Sequence, residues 1–252
     1  MKLLAFELAT EACSVALWVD GEVYERFEIA PRRHAELALP WADAVLAEAG
    51  IARAQLDAIA VGRGPGAFTG VRLAIAIGQG IALALDRPIL PVSTLAALAV
   101  GAVRADHHPD QPRADQVEEG VAHRVLASID ARMGEVYVGA FRVHDGDAVL
   151  IGSEAVLAPD AVTLPDGDAG WLGAGTGFVA AEGALRTRLS AQLAAVDADS
   201  LPRAGDVARL AARMWLRGEA LAPERVEPAY LRNQVALTIS EQKALRAEKH
   251  RG

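Results

Sequence analysis

Cysteine is nearly absent: Cys13 is the only one in 252 residues. No internal disulfide can form, and no cysteine-based zinc site can be assembled. Cys13 lies in an apolar stretch, where a free thiol behaves as a small buried hydrophobe. Aromatic residues are also scarce, 5% of the chain against 52% hydrophobic residues overall. The core must therefore be built from aliphatic side chains and alanine. Cations are outnumbered, with 25 Lys and Arg against 33 Asp and Glu and a net charge of −8. Such a chain is not an autonomous nucleic-acid binder, because neutralising phosphates takes clustered Lys and Arg. Glu7 and Glu11 interrupt the apolar N-terminus, so it is not a signal-peptide core. No uninterrupted apolar run reaches the ~20 residues of a membrane helix. The chain reads as a soluble, cytoplasmic protein, long enough for one large domain or two ordinary ones.

Metal-ligand and nucleophile patterns are missing too. The six histidines are His34, His107, His108, His123, His144 and His250, and none forms HExxH or an i,i+4 pair. His107 and His108 fall in a Pro- and Asp-rich stretch and read as solvated, for want of a second ligand cluster. Ser14, Ser93 and Ser128 have no GxSxG context.

What is present is an α/β pattern. Residues 3–8, 14–19 and 22–29 read as strands, with the hairpin signal Asp20-Gly21 between the second and third. A helix is expected from about Arg32 to Ala49, carrying Leu37, Trp41, Val45 and Leu46 at helical spacing. Pro40 inside it marks a kink or the start of a second helix. A short strand, Ala58–Val61, feeds the loop Gly62-Arg63-Gly64-Pro65-Gly66-Ala67-Phe68-Thr69-Gly70, followed by a helix over Val71–Leu85. A strand at Ile89–Val92 and a helix at Thr94–Val103 follow. Residues 105–124 are polar and hold two prolines, the character of a linker or surface loop. Residues 126–146 then repeat the pattern of residues 4–21: apolar strand, acidic residue, turn, second strand, Asp-Gly. Glu7 corresponds to Asp130, and Asp20-Gly21 to Asp145-Gly146. Such repetition suggests two related lobes, although Asp-Gly hairpins are common enough to coincide. Further on, Gly167–Gly177 reads as a strand and glycine turn, Phe178–Leu189 as a helix, and Ala204–Arg217 as an amphipathic helix. The charged tail from Ser240 has no core face and reads as frayed. The expected divisions are 1–104, 105–203 and 204–252, the last a helix returning onto the lobes plus the tail.

Two features invite chemistry. The glycine loop stands between strand and helix, where exposed backbone N–H groups cradle phosphate. It lacks the Lys-Ser/Thr of a Walker loop, and a tight turn for close helix packing explains the glycines equally well. Glu7 and Asp130, at corresponding strand ends, could face one another across a cleft and hold magnesium-nucleotide or serve as a base. Helix 71–85 carries two small-residue ridges, Ala74-Gly78-Ala82 and Ala76-Gly80-Ala84, and is apolar nearly all round. It must be covered on more than one side, by a sheet and either a partner helix or the protein's own interior.

The segments GRGPGAFTGVRLAIAIGQGIA at 62–82, IDARMGEVYVGAF at 129–141, PAYLRNQVA at 228–236 and LAFELATEACSVAL at 4–17 together resemble the bacterial TsaB (YeaZ) family. The resemblance implies the actin-like ATPase superfold, two ribonuclease H-like lobes each with a five-stranded sheet. It implies a non-catalytic scaffold that binds the catalytic subunit TsaD. With TsaE, that assembly transfers a threonylcarbamoyl group, made by TsaC, to adenosine 37 of tRNAs reading ANN codons. No cofactor is expected for this chain, ATP and metal being used by partner subunits. The tRNA is reached indirectly through the complex, no membrane is involved, and a homodimer is expected when TsaD is absent. The resemblance further implies that helices 32–50 and 71–85 form a four-helix bundle with TsaD. His34, Leu37, Trp41, Val71, Ala74, Ile75, Gly78 and Ala82 are the interface candidates, and Gly78→Leu is expected to block pairing while leaving the monomer folded.

Glu7, Gly64, Gly66 and Asp130 would be a vestigial nucleotide site. Where TsaD has two metal-binding histidines this chain has Thr94 and Leu98, neither of which can replace an imidazole there. Leu8 follows Glu7 where a small or hydroxyl residue is expected, crowding a phosphate. The alternatives are a small nucleotide-dependent phosphotransferase of the same superfold, using Glu7, Asp130 and the glycine loop, and a zinc peptidase.

Overall fold

The computed structural model describes residues 1–104, 121–165 and 169–232. The first lobe opens with the meander β1 (Lys2–Glu7), β2 (Ala12–Val19) and β3 (Glu22–Ile29). After helix α1 (His34–Glu48) come β4 (Ala58–Gly62), α2 (Phe68–Leu85), β5 (Ile89–Val92) and α3 (Thr94–Ala102). The second lobe repeats the meander as β6 (His123–Arg132), β7 (Glu135–His144) and β8 (Asp147–Leu157), and adds β9 (Trp171–Ala174) and β10 (Leu193–Asp197). Helix α4 (Ala184–Arg188) precedes β10, and α5 (Ala204–Leu216) follows it.

The two sheets have the same plan. The first runs β3-β2-β1-β4-β5 and the second β8-β7-β6-β9-β10. In each, the first three strands are antiparallel and the last two join in parallel. The Asp-Gly turns superpose in kind as well: Asp20 and Asp145 both take positive φ, at 48° and 51°, as do Gly21 and Gly146. Asp and Gly tolerate that left-handed conformation, which suits the twist of a tight hairpin.

Alternation along β1 decides what covers the first sheet. Leu3 and Ala5 face one side with Ala16, Ala58 and Ala60. Leu4 and Phe6 face the other with Val15, Leu17, Ile59 and Val61, against α1 and α2. The alanine-rich side receives α5, whose own Ala204, Ala208 and Ala211 are fully buried. Small residues on both surfaces let helix and sheet approach closely. Next to α5 lies α3, which packs on the second sheet against Val125, Ala127, Ile129 and Phe141. One core thus runs from sheet to sheet through two helices. Asp206, 1% exposed, sits in it and pairs with Arg104 at 2.6 Å and Arg209 at 3.6 Å.

Several expectations change. Pro40 neither ends nor divides α1, which runs on through it. Helix α2 starts three residues early, at Phe68. The helix expected over Phe178–Leu189 is broken: two single turns, Thr176–Phe178 and Ala181–Gly183, precede the five-residue α4. Positive φ at Ala181, Glu182 and Gly183 interrupts it. Helix α2 is long and apolar enough by composition to cross a membrane, yet one flank packs on β4 through Ala74, Gly78 and Ala82. Most of the 105–124 loop, His107, His108, residues 233–236 of the PAYLRNQVA segment, and the tail with His250 lie outside the described residues.

Candidate functional site: a cleft between the lobes and an apolar helix face

The carboxylate pair does not assemble. Glu7, at the end of β1, is 1% exposed. It accepts hydrogen bonds from Ala9 N (2.8 Å) and Thr94 Oγ1 (3.0 Å). Gly62 lies so close that a Cβ there would overlap the Glu7 carboxylate. Burial pushes the Glu7 carboxyl from 4.5 up to about 7, against the opposing pull of its hydrogen bonds. Asp130 instead lines the cleft and pairs with Arg132 at 2.9 Å. The two acids therefore cannot act together, because one is under the floor and the other on the wall.

The glycine loop has a packing explanation. Ala67 N donates to Ala9 O at 2.7 Å, tying the loop to the β1–β2 turn. A Cβ on Gly66 would meet the Ala9 carbonyl and its Cβ, and one on Gly70 would overlap the Leu8 carbonyl. Backbone cannot yield as a side chain can, so these glycines are required for the turn and loop to touch. Gly64 has φ +90°, a conformation that favours glycine. The glycines thus serve the contact with the neighbouring turn on one side, while residues 66–70 line the cleft on the other.

Thr94 and Leu98, at the positions of the expected histidines, are also committed. Thr94 is fully buried and donates to Glu7; Leu98 is 1% exposed in the shared core. Among the described residues no group of three or more His, Cys, Asp or Glu is gathered as a metal site. Cys13 is buried, and burial with Glu28 nearby pushes its thiol up to about 11.

The cleft itself measures about 1220 Å³ and is walled by both β-meander turns, the start of α2 and residues 228–232. Arg72 stacks on the Phe68 ring at 3.3 Å and bonds Tyr230 Oη at 3.0 Å.

The interface candidates divide by burial. Val71, Ala74, Ile75 and Ala82 are at most 5% exposed, Gly78 is buried with them, and all five turn into the chain's own core. A Cβ on Gly78 would stand 2.5 Å from Val61 Cγ1 on β4. These five cannot meet a partner, and Gly78→Leu would damage the monomer itself. On α1, Leu37 and Trp41 are half-buried against the core, and His34 Nε2 bridges the carbonyls of Thr10 (3.0 Å) and Ala12 (3.1 Å). The other ridge of α2 is the open one. Ala76, Gly80, Leu83 and Ala84 are exposed, Leu73 and Ile77 half-buried, and Gly80 has nothing within 4 Å of a Cβ. Leu83 is 65% exposed and Phe68 66%. Leu39 on α1 adds to the exposed apolar surface at 51%.

Two five-stranded sheets of identical order, sharing a core and enclosing a cleft, define a two-lobed α/β protein of the actin-like ATPase superfold. A family model described as TsaD, tRNA N6-adenosine threonylcarbamoyltransferase, matches residues 27–171. The tRNA threonylcarbamoyladenosine biosynthesis protein TsaB of Escherichia coli is 41% identical over 94% of this chain and 96% of its own. That of Haemophilus influenzae is 36% identical over 93% and 95%. The solved structure of YeaZ from Pseudomonas aeruginosa, 46% identical, superposes with a TM-score of 0.79 over 91% of this chain and 99% of that one. The chain belongs to the TsaB (YeaZ) family of tRNA threonylcarbamoyladenosine biosynthesis proteins.

Proposed function

We propose that this chain is a non-catalytic scaffold in the synthesis of N6-threonylcarbamoyladenosine at position 37 of tRNA, acting by binding TsaD in the cytoplasm. The observation that carries this reading is the open ridge of α2, an apolar face that the described residues leave uncovered on a helix whose opposite flank is core. Exposed apolar ridges with small residues favour close helix–helix contact with a partner. The buried Glu7, and a glycine loop whose glycines are accounted for by packing on the β1–β2 turn, support a chain that holds no nucleotide of its own. ATP and metal then belong to the partner subunits, with TsaE joining the assembly and tRNA reached through it. The same ridge would pair two copies of this chain when TsaD is absent.

The test is reconstitution of TsaC, TsaD, TsaE, ATP, threonine, bicarbonate and tRNA with and without this chain. Modified adenosine should require it, and Glu7→Gln should retain that activity. Gly80→Arg, where there is open space, should abolish TsaD binding in calorimetry while the monomer stays folded. Full binding by a folded Gly80→Arg protein would refute the assigned face.

A further inference from the structure

We propose that residues 226–232 form a clasp that fixes how far the two lobes open across the cleft. The observation is a single extended segment bonded to both lobes. On the first lobe, Val226 is buried beside α2, and Gln79 Nε2 donates to the carbonyl of Pro223 at 2.8 Å. Ala229 N donates to Arg63 O at 2.8 Å, in the glycine loop. Tyr230 takes a hydrogen bond from Arg72 at 3.0 Å. Two residues later the segment reaches the second lobe. There Arg232 donates to Ala131 O at 3.2 Å and to the Glu135 carboxylate.

The receiving turn is shaped for this. Arg132, Met133 and Gly134 all have positive φ, at 65°, 56° and 76°. That unusual run, from the last residue of β6 to the start of β7, leaves the Ala131 carbonyl and the Glu135 carboxylate to one guanidinium. Arg232 Nη2 makes both bonds, while Nη1 lies 3.7 Å from Met133 Sδ, so one planar guanidinium lies across the turn with its charge on the Glu135 carboxylate. The anchor is also partly sheltered, with the Arg232 and Glu135 side chains 23% and 37% exposed.

Position gives the clasp leverage. The lobes are joined through α3 and α5 in the shared core, and no residue of either helix lines the cleft. Residues 228–232 do line it. A contact at the cleft, remote from the packed hinge, acts on a longer arm than any contact within the hinge. The first-lobe attachments at Arg72 and Gln79 hold the segment along about two turns of α2. Among the described residues the weak end is therefore the Arg232 anchor, and loss of it frees the second lobe while the segment remains on the first.

This inference concerns the isolated chain and does not depend on TsaD being its partner. The experiment uses the full chain with Cys13→Ala and nitroxide labels on cysteines introduced at Thr69 and Val179, both exposed and on opposite walls of the cleft. Pulsed dipolar spectroscopy reads the separation. Arg232→Ala should lengthen and broaden the distribution, raising the open fraction roughly two- to tenfold. Arg232→Lys and Glu135→Gln should fall between, and Arg232→Ala/Glu135→Ala should go no further than Arg232→Ala. Arg53→Ala, which breaks an exposed pair with Asp43 on the first lobe, should leave the distribution unchanged. A parental distribution in Arg232→Ala, or an equal shift in Arg53→Ala, would overturn the clasp.

Discussion

Glu7→Gln should change how stability depends on pH more than stability itself. The folded protein holds the Glu7 proton up to about pH 7, whereas the unfolded chain releases it near 4.5. Between those values the folded state binds the extra proton, so stability must fall as pH rises. The favourable contribution is complete below 4.5 and is lost as pH climbs through about 7. Worked through the linkage relation, the loss between pH 5 and pH 8 is about 2–3 kcal/mol. Gln keeps the shape and can still accept from Ala9 N, but it carries no proton to release. The Glu7→Gln protein should therefore gain about 2–3 kcal/mol on the parent as pH goes from 5 to 8. For a chain of this size that is a relative Tm change of roughly 5–10 °C. Urea unfolding and thermal melts at pH 5, 6, 7 and 8 measure it. If the gap between parent and variant is the same at every pH, Glu7 is ionised in its pocket and the reasoning is wrong.

Other substitutions test the packing directly. Gly78→Leu should lower stability by about 1–3 kcal/mol or more, because β4 already occupies the space; Gly80→Ala should raise it by about 0.5–1 kcal/mol, having open space and better helix propensity. Both are read by chemical denaturation. Gly70→Ala should disrupt the loop by forcing Leu8 O aside, seen as lost amide protection in residues 62–70 under hydrogen exchange. Asp206→Ala should cost about 3 kcal/mol, since it leaves Arg104 and Arg209 beside a buried gap, and Asp206→Asn should cost less.

The repeated meander was readable because its signals are local: alternating strands and an Asp-Gly turn occupy adjacent residues in both halves. The direction of α2 was not. A helix apolar all round has no polar stripe to mark its outer side, and Gly78 and Gly80 look alike until β4 is placed against one of them. Glu7 misled for a similar reason. A carboxylate at a strand end suggests an open turn, and only the long-range arrival of Thr94 encloses it. The break at 181–183 followed from backbone conformations that Ala181 and Glu182 do not advertise. Residues 228–232 stood out as a motif, but the acceptors of Arg232 lie about a hundred positions earlier, out of reach of any local pattern.

The placement of α5 has a consequence for biosynthesis. The alanine-lined side of the first sheet is assembled from residues 3–92, yet its covering helix is residues 204–216. On the ribosome that surface emerges long before its cover, against the usual habit of an N-terminal unit closing first. At about 5–20 residues per second, the interval is on the order of ten seconds. During it the nascent first sheet is a half-finished object, and a chaperone that shields apolar surface has reason to wait on it until α5 is released.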